Sequence, residues 1–135
     1  MTIDELHRLW DSKTTPKRGG KSSHSEHDLQ TACVNWFRMQ YPQHIIYAIP
    51  NGGQRNAIVA AKLKAEGVTA GIPDLHIPIA RHGYHSLYIE MKNGKQGRLS
   101  EHQKHTIQIL QDAGHRVAVC RDMQEFINEV KNYLS

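Results

Sequence analysis

The stretch GIPDLHIPIARHGYHSLYIEMK, Gly71 to Lys92, decides the fold. Leu75, Ile77 and Ile79 alternate with polar or small neighbours, and Leu87, Ile89 and Met91 repeat the pattern after a turn at Arg81 to Gly83. A period of two is that of a strand with one buried face. The spacing therefore predicts strands over Asp74–Ile79 and Tyr84–Lys92, both sending their aliphatic residues into one core. Three charged groups break the pattern. Glu90 and Lys92 are two apart on one strand and so project from the same face, and Asp74 opens the preceding strand. If the strands pair as a hairpin, Asp74 and Glu90 come from neighbouring strands, with a register that sequence alone does not fix.

Upstream, Ser25 with Asp28 has the spacing of a helix N-cap, and Leu29, Cys33, Trp36 and Phe37 recur at helical intervals up to Tyr41 and the terminating Pro42. Ile45 to Ile49 is a short apolar run that reads as a strand. Pro50-Asn51-Gly52-Gly53 breaks it, and a helix from about Asn56 ends at Gly67. Downstream, Ser100 with Gln103 opens a helix through Ala113 that Gly114 closes, Arg116 to Cys120 is a strand, and Asp122 with Glu125 opens the last helix, whose stripe is Phe126, Ile127, Val130 and Leu134. The order is helix, strand, helix, strand, strand, helix, strand, helix. Such an order predicts an α/β domain with a central mixed sheet flanked by helices. The first 24 residues stand apart from the domain over residues 25–135: Ile3, Leu6, Leu9 and Trp10 mark a short amphipathic helix, and Ser12 to His24 has the composition of a flexible basic linker.

A chain of 135 residues has room for one domain, which at this size buries about 65% of the surface its unfolded form exposes. Hydrophobic residues at 39% and charged residues at 22% exclude a disordered chain. No apolar run is long enough for a membrane span, and the polar N-terminus is not a secretory signal. Cys33 and Cys120 cannot form a disulfide framework and read as core residues of a reducing, cytoplasmic compartment. The net charge of +4 is only a hint of an anionic partner. Its placement says more: residues 81–105 carry a net +3, whereas residues 106–135 carry a net −1. The histidine pairs His24/His27, His82/His85 and His102/His105 lack a further soft ligand, which argues against structural zinc, and His76, on the face of Asp74, reads as a packed or exposed side chain.

Two carboxylates and a lysine on one sheet face suit a magnesium site, which uses one or two carboxylates, a backbone carbonyl and retained waters. The carbonyl of Met91, between Glu90 and Lys92, is the natural third protein oxygen. Taken alone, Asp-x15-Glu-x-Lys arises by chance in many domains and reads first as a surface Glu–Lys strand with an unrelated Asp. Two helix positions change that balance. Glu26 falls in line with Cys33 and Phe37 on the apolar stripe, where it either caps the helix or reaches toward a site. Gln103 falls in line with Ile107 and Leu110, and a capping role toward Ser100 can coexist with one toward the sheet.

These blocks, Gly71-Ile72-Pro73-Asp74-Leu75, Tyr88-Ile89-Glu90-Met91-Lys92 and Gly97-Arg98-Leu99-Ser100-Glu101-His102-Gln103, resemble the VRR-Nuc domain, the virus-type replication-repair branch of the PD-(D/E)XK nucleases. Glu26-x-x-Leu29-Gln30 and the loop Ile49-Pro50-Asn51-Gly52-Gly53-Gln54-Arg55 fit the same family, so that the resemblance runs from residue 25 to about 130. It implies a restriction-endonuclease-like core and divalent-metal-dependent cleavage of phosphodiester bonds in DNA. By position it implies Asp74, Glu90 and the Met91 carbonyl as ligands of Mg²⁺ or Mn²⁺, Glu26 as a further ligand directly or through water, Lys92 as the catalytic lysine, and Gln103 as support for the site. Standalone members of this size resemble phage and bacterial proteins that act as homodimers on branched DNA such as four-way (Holliday) junctions, which places the expected setting in a bacterial or phage-infected cytoplasm.

No organic cofactor and no membrane partner are expected. A two-fold pair of such small domains doubles the positive surface and offers two cleavage sites to a symmetric substrate. Gly52, Gly53, Gln54 and Arg55 read as a phosphate-approaching loop, with a plain strand-to-helix turn as the alternative, and Lys95 and Arg98 as a basic loop over the site. A non-cleaving DNA-binding or scaffolding module, and a nuclease preferring flaps, duplex or RNA, remain as alternatives.

Overall fold

A computed structural model describes residues 23–50, 56–94 and 97–135 of the chain, with the side chains of residues 23–25 left out. The amphipathic segment at Ile3–Trp10, the linker as far as residue 22, the Gly52–Arg55 loop and Lys95 lie outside the described residues, whereas Ser23 and His24, read as linker, and Ser25, read as the N-cap, already belong to the first helix.

The first helix, α1 (Ser23–Gln40), turns Leu29, Cys33, Trp36 and Phe37 inward, all of them buried. It ends where Pro42 removes the next backbone donor, and the last turn is closed by Tyr41 N–H donating to the Phe37 carbonyl. Strand β1 (Tyr47–Ala48) is shorter than the run Ile45–Ile49 suggests, because only Tyr47 and Ala48 find partners on the next strand. Ile46, just before the strand, is buried, whereas Ile45 is exposed and both residues of β1 itself face solvent. Helix α2 (Ala57–Ala65) starts at Asn56, whose side-chain oxygen accepts from Val59 N–H, and gives way after Glu66 to Gly67 at φ +106°.

Strands β2 (Leu75–Ile77) and β3 (Leu87–Met91) form the expected antiparallel pair, with Leu75 opposite Ile89 and Ile77 opposite Leu87. Both are shorter than the alternation suggested. Pro78 cannot continue the ladder, and the chain turns instead through an isolated bridge between Arg81 and Tyr84. Helix α3 (Glu101–Asp112) then crosses to β4 (Arg116–Cys120), which runs parallel to β3, and α4 (Met123–Leu134) closes the fold. The sheet order is β1-β2-β3-β4, antiparallel except for its last pair. This is the mixed sheet with flanking helices that the element order implies.

One cluster makes the core. Leu75, Ile77, Leu87, Ile89 and Met91 from the sheet meet Trp36 and Phe37 of α1 and Phe126, Ile127 and Val130 of α4. Trp36 lies edge-on to Phe126 at 6.1 Å between centroids. Tyr133, absent from the stripe read in the sequence, is also buried, and its hydroxyl donates to the Ile79 carbonyl. Cys33 and Cys120 are buried free thiols whose pKa values burial pushes up, so they are packing residues with little thiolate at neutral pH. Burying a side chain such as Phe126 stabilises the fold by about 1.5–3 kcal/mol. This packing uses one face of the sheet only. Glu90, Tyr88 and His76 alternate to the other face, where α3 lies.

Candidate active site

Glu90 stands one residue from Met91 on β3, so the strand that sends Met91 into the core sends Glu90 the opposite way. It is nevertheless buried, at 3% side-chain exposure, because α3 starts beside it. Gln103 makes the connection. Its Oε1 accepts from the Ser100 backbone N–H, its own N–H donates to Ser100 Oγ, and its Nε2 donates to Glu90 Oε1 at 3.0 Å. The capping box and the reach to the sheet are thus made by one side chain.

Lys92, on the same face, places Nζ 3.6 Å from the same Glu90 oxygen. Asp74, just before β2, accepts from Met91 N–H through Oδ2 at 2.8 Å. A strand residue points its N–H and C=O to the same side, so the Met91 carbonyl also faces the Asp74 side of β3. The remaining oxygen of Glu90, Oε2, is buried with no hydrogen-bond partner among the described residues.

The electrostatics follow from this crowding. Burial, first, and the neighbouring Asp74 carboxylate, second, push the Glu90 carboxyl up to about 8, with Lys92 pulling the other way. Glu26, in the first turns of α1, has a raised pKa through partial burial and through Asp74, again opposed by Lys92. Its side chain remains open to solvent, within electrostatic reach of Asp74 and Lys92. Asp74, Glu90, Lys92 and Gln103 are brought together at one end of β3. Arg98 is exposed on the segment leading into α3. No group of three or more His, Cys, Asp or Glu among the described residues is arranged to hold a metal. The oxygens on offer are thus two carboxylates and a carbonyl, a donor set suited to a hard cation that keeps several waters.

A family model of the VRR-NUC domain matches residues 12–124. The chain belongs to the VRR-NUC domain family. It is therefore a nuclease-type domain. A solved structure described as a VRR_NUC domain protein is similar over 86% of this chain and 90% of that one, at 30% identity and a TM-score of 0.68. No curated protein matches the chain. The family match begins at residue 12 and so takes in part of the segment that composition sets apart from the domain.

Within this VRR-NUC fold, Gly71 holds α3 against the strand that carries Asp74. It sits at φ +86°, and a Cβ there would lie 2.9 Å from the His102 carbonyl oxygen and from Thr106 Oγ1. Gly71→Ala therefore combines backbone strain with a clash against helix backbone. It should cost about 1–3 kcal/mol, read as a lower midpoint in urea unfolding.

Two features of this VRR-NUC domain were not legible as sequence. Tyr47 on β1, His76 on β2, and Ser86 and His115 just before β3 and β4 form a hydrogen-bonded chain: Tyr47 O–H to His76 Nδ1 at 2.5 Å, His76 Nε2 to Ser86 Oγ at 2.8 Å, and Ser86 to His115 Nδ1 at 2.6 Å. A neutral His76 satisfies all three bonds in one direction, and burial holds its pKa below the usual value. His76 also stacks on Tyr88 at 4.2 Å. It is thus a packed histidine in a polar seam. Ser86, at a strand entrance, carries no sequence signal of that role. The second feature is Arg121, directly after β4, which donates to the Gly94 and Gly97 carbonyls.

Proposed function

We propose that this domain is a Mg²⁺- or Mn²⁺-dependent endonuclease that hydrolyses phosphodiester bonds in branched DNA, four-way junctions included, and works as a homodimer in the bacterial or phage-infected cytoplasm. The observation that carries the reading is Glu90: a buried carboxylate with one oxygen held by Gln103 and Lys92 and the other without a partner. A buried carboxylate beside a second one is unfavourable unless a cation completes the site. Asp74, Glu90 and the Met91 carbonyl would hold that cation, with Glu26 reaching it directly or through water. When bound, the ion supplies charge stabilisation at the phosphate and makes a coordinated water more acidic.

The chain's own residues do the rest. Gln103 fixes the rotamer of Glu90 and leaves Oε2 turned away from it. Lys92, 16% exposed, keeps its ammonium at the mouth of the site, where it orients a water or steadies charge that develops on a phosphate. Arg98, exposed before α3, would take a neighbouring phosphate, and Gly52, Gly53, Gln54, Arg55 and Lys95 would share that task. Dimerisation is supported by α2. Its sequence AIVAAKLKA is apolar, yet none of its described side chains is buried, and Ile58 is 83% exposed.

The test is a cleavage panel over four-way junction, flap, splayed and linear DNA and RNA, run with Mg²⁺ or Mn²⁺ beside a mass determination in solution. The expected result is nicking of the junction in preference to linear duplex, by a species of twice the chain mass. Binding of the junction without product supports a scaffolding module instead, and preferred cleavage of flaps or RNA reassigns the substrate. No helix among the described residues is long and apolar enough to cross a membrane.

A further inference from the structure

We propose that Arg121 is a positioning residue for Lys92, acting through the glycine loop between β3 and α3; the proposal rests on the nuclease reading above. Arg121 follows the last residue of β4. Its Nη1 donates to the Gly94 carbonyl at 2.9 Å and to the Gly97 carbonyl at 2.5 Å, while its own carbonyl accepts from Gly94 N–H at 3.4 Å. One guanidinium nitrogen thus holds Gly94 and Gly97 together and ties both to the end of β4. Among the described residues the Arg121 side chain pairs with no carboxylate, unlike Arg116, which is bound by Glu129. Its charge is directed at backbone oxygens, an interaction in which five fixed donors matter more than net attraction. Glu125 fixes the base of the residue by accepting from Arg121 N–H at 2.6 Å.

The tie reaches the chemistry through Gly97. A Cβ at this position would lie 3.2 Å from Lys92 Cβ and 3.4 Å from Lys92 Cδ, so the Gly97 backbone rests directly on the lysine stem. On the other end of that stem, Nζ is 3.6 Å from Glu90 Oε1. The stem therefore runs between two fixed walls, Gly97 and Glu90, and Arg121 keeps the first in place. A lysine side chain free of such walls samples several rotamers, and a reacting group displaced by about 1 Å loses up to about a hundredfold in rate. The absence of a side chain at 97 is what permits this approach. Arg98 follows immediately, so the same tie sets where that exposed cation emerges.

The experiment uses the full chain as Arg121→Ala, Arg121→Lys and Gly97→Ala, with two readouts. The first needs no cleavage: acetylation of metal-free protein by an N-hydroxysuccinimide ester, with Lys92 labelling measured by mass spectrometry against Lys104, whose side chain is 57% exposed. The second is the kcat and KM of junction cleavage with Mn²⁺. Arg121→Ala is expected to raise Lys92 labelling severalfold and lower kcat about tenfold, with KM changed by less than about twofold. Arg121→Lys, which keeps a donor, is expected to recover part of the loss, and Gly97→Ala to lower kcat without altering Arg121. Unchanged Lys92 labelling in folded Arg121→Ala overturns the proposal, as does a rise in KM alone, which would place the effect on phosphate grip. If Arg121→Ala does not fold, Arg121→Lys and Gly97→Ala decide: full kcat in both overturns it. If the unaltered protein cleaves no substrate, the nuclease reading fails separately, and labelling still decides whether Arg121 holds Lys92.

Discussion

Glu90→Ala and Lys92→Ala are each expected to reduce junction cleavage by at least about 10³-fold, with the variants binding the same junction about as tightly as the unaltered protein or, for Glu90→Ala, more tightly. The expectation follows from where the two side chains point. Glu90 Oε1 is bound by Gln103 and approached by Lys92, so both side chains belong to the proposed cation site. Removing the carboxylate deletes the proposed cation's main protein ligand and lessens repulsion of a phosphate. Removing the ammonium takes away the only described lysine beside that carboxylate. Single-turnover cleavage measured next to equilibrium binding separates the two effects. Retained cleavage in either variant sinks the assigned chemistry, and parallel loss of binding and cleavage moves these residues from chemistry to DNA grip.

Glu90→Gln is expected to do the opposite to stability: the metal-free variant is more stable than the unaltered protein, by a margin that grows with pH. Glu90 has a folded pKa of about 8 against an ordinary carboxyl value of 4.5. The folded state therefore holds a proton that the unfolded state has already released across that window. Stability is fully present below the unfolded value and is lost as pH rises toward and through about 8. A glutamine has no proton to lose and keeps the bond to Gln103 if its amide turns appropriately. At pH 8 and above the expected gain is a few kcal/mol, and at pH 4 it is close to zero. Urea unfolding of both proteins with EDTA present, across this range, makes the comparison. A constant difference at all pH values contradicts the assignment of the raised pKa to Glu90. Saturating Mn²⁺ should reverse the order, since it stabilises only the protein that binds it.

The parts of this domain that were legible as sequence are those governed by local rules. The period of two around Leu75–Ile77 and Leu87–Met91, the caps at Asn56, Ser100 and Asp122, and the stripe of α4 all depend on neighbours within a few residues, and all occur where spacing places them. Strand lengths were not legible. Ile45, Ile49 and Ile79 have strand-forming side chains, but a strand exists only where a partner backbone runs beside it, and β1 finds one over two residues. Strand alternation puts Glu90 and Lys92 on one face, yet the burial of Glu90 depends on how α3, the next element in the chain, folds back against β3. The dual use of Gln103 shows the same limit: Ser100 and Gln103 announce a cap, and only the crossover to β4 brings that cap against β3. The Tyr47–His76–Ser86–His115 seam and the Arg121 tie join residues from different elements through polar groups without periodicity, so no local pattern marks them.

The most direct measurement is a calorimetric titration of Mn²⁺ into the metal-free protein and into Glu90→Gln at the same pH. A site built from Asp74, Glu90 and the Met91 carbonyl predicts a saturable binding event in the unaltered protein, with release of the proton that Glu90 holds below about pH 8, and its loss in the variant. Equal binding by both proteins, or none by either, contradicts the account.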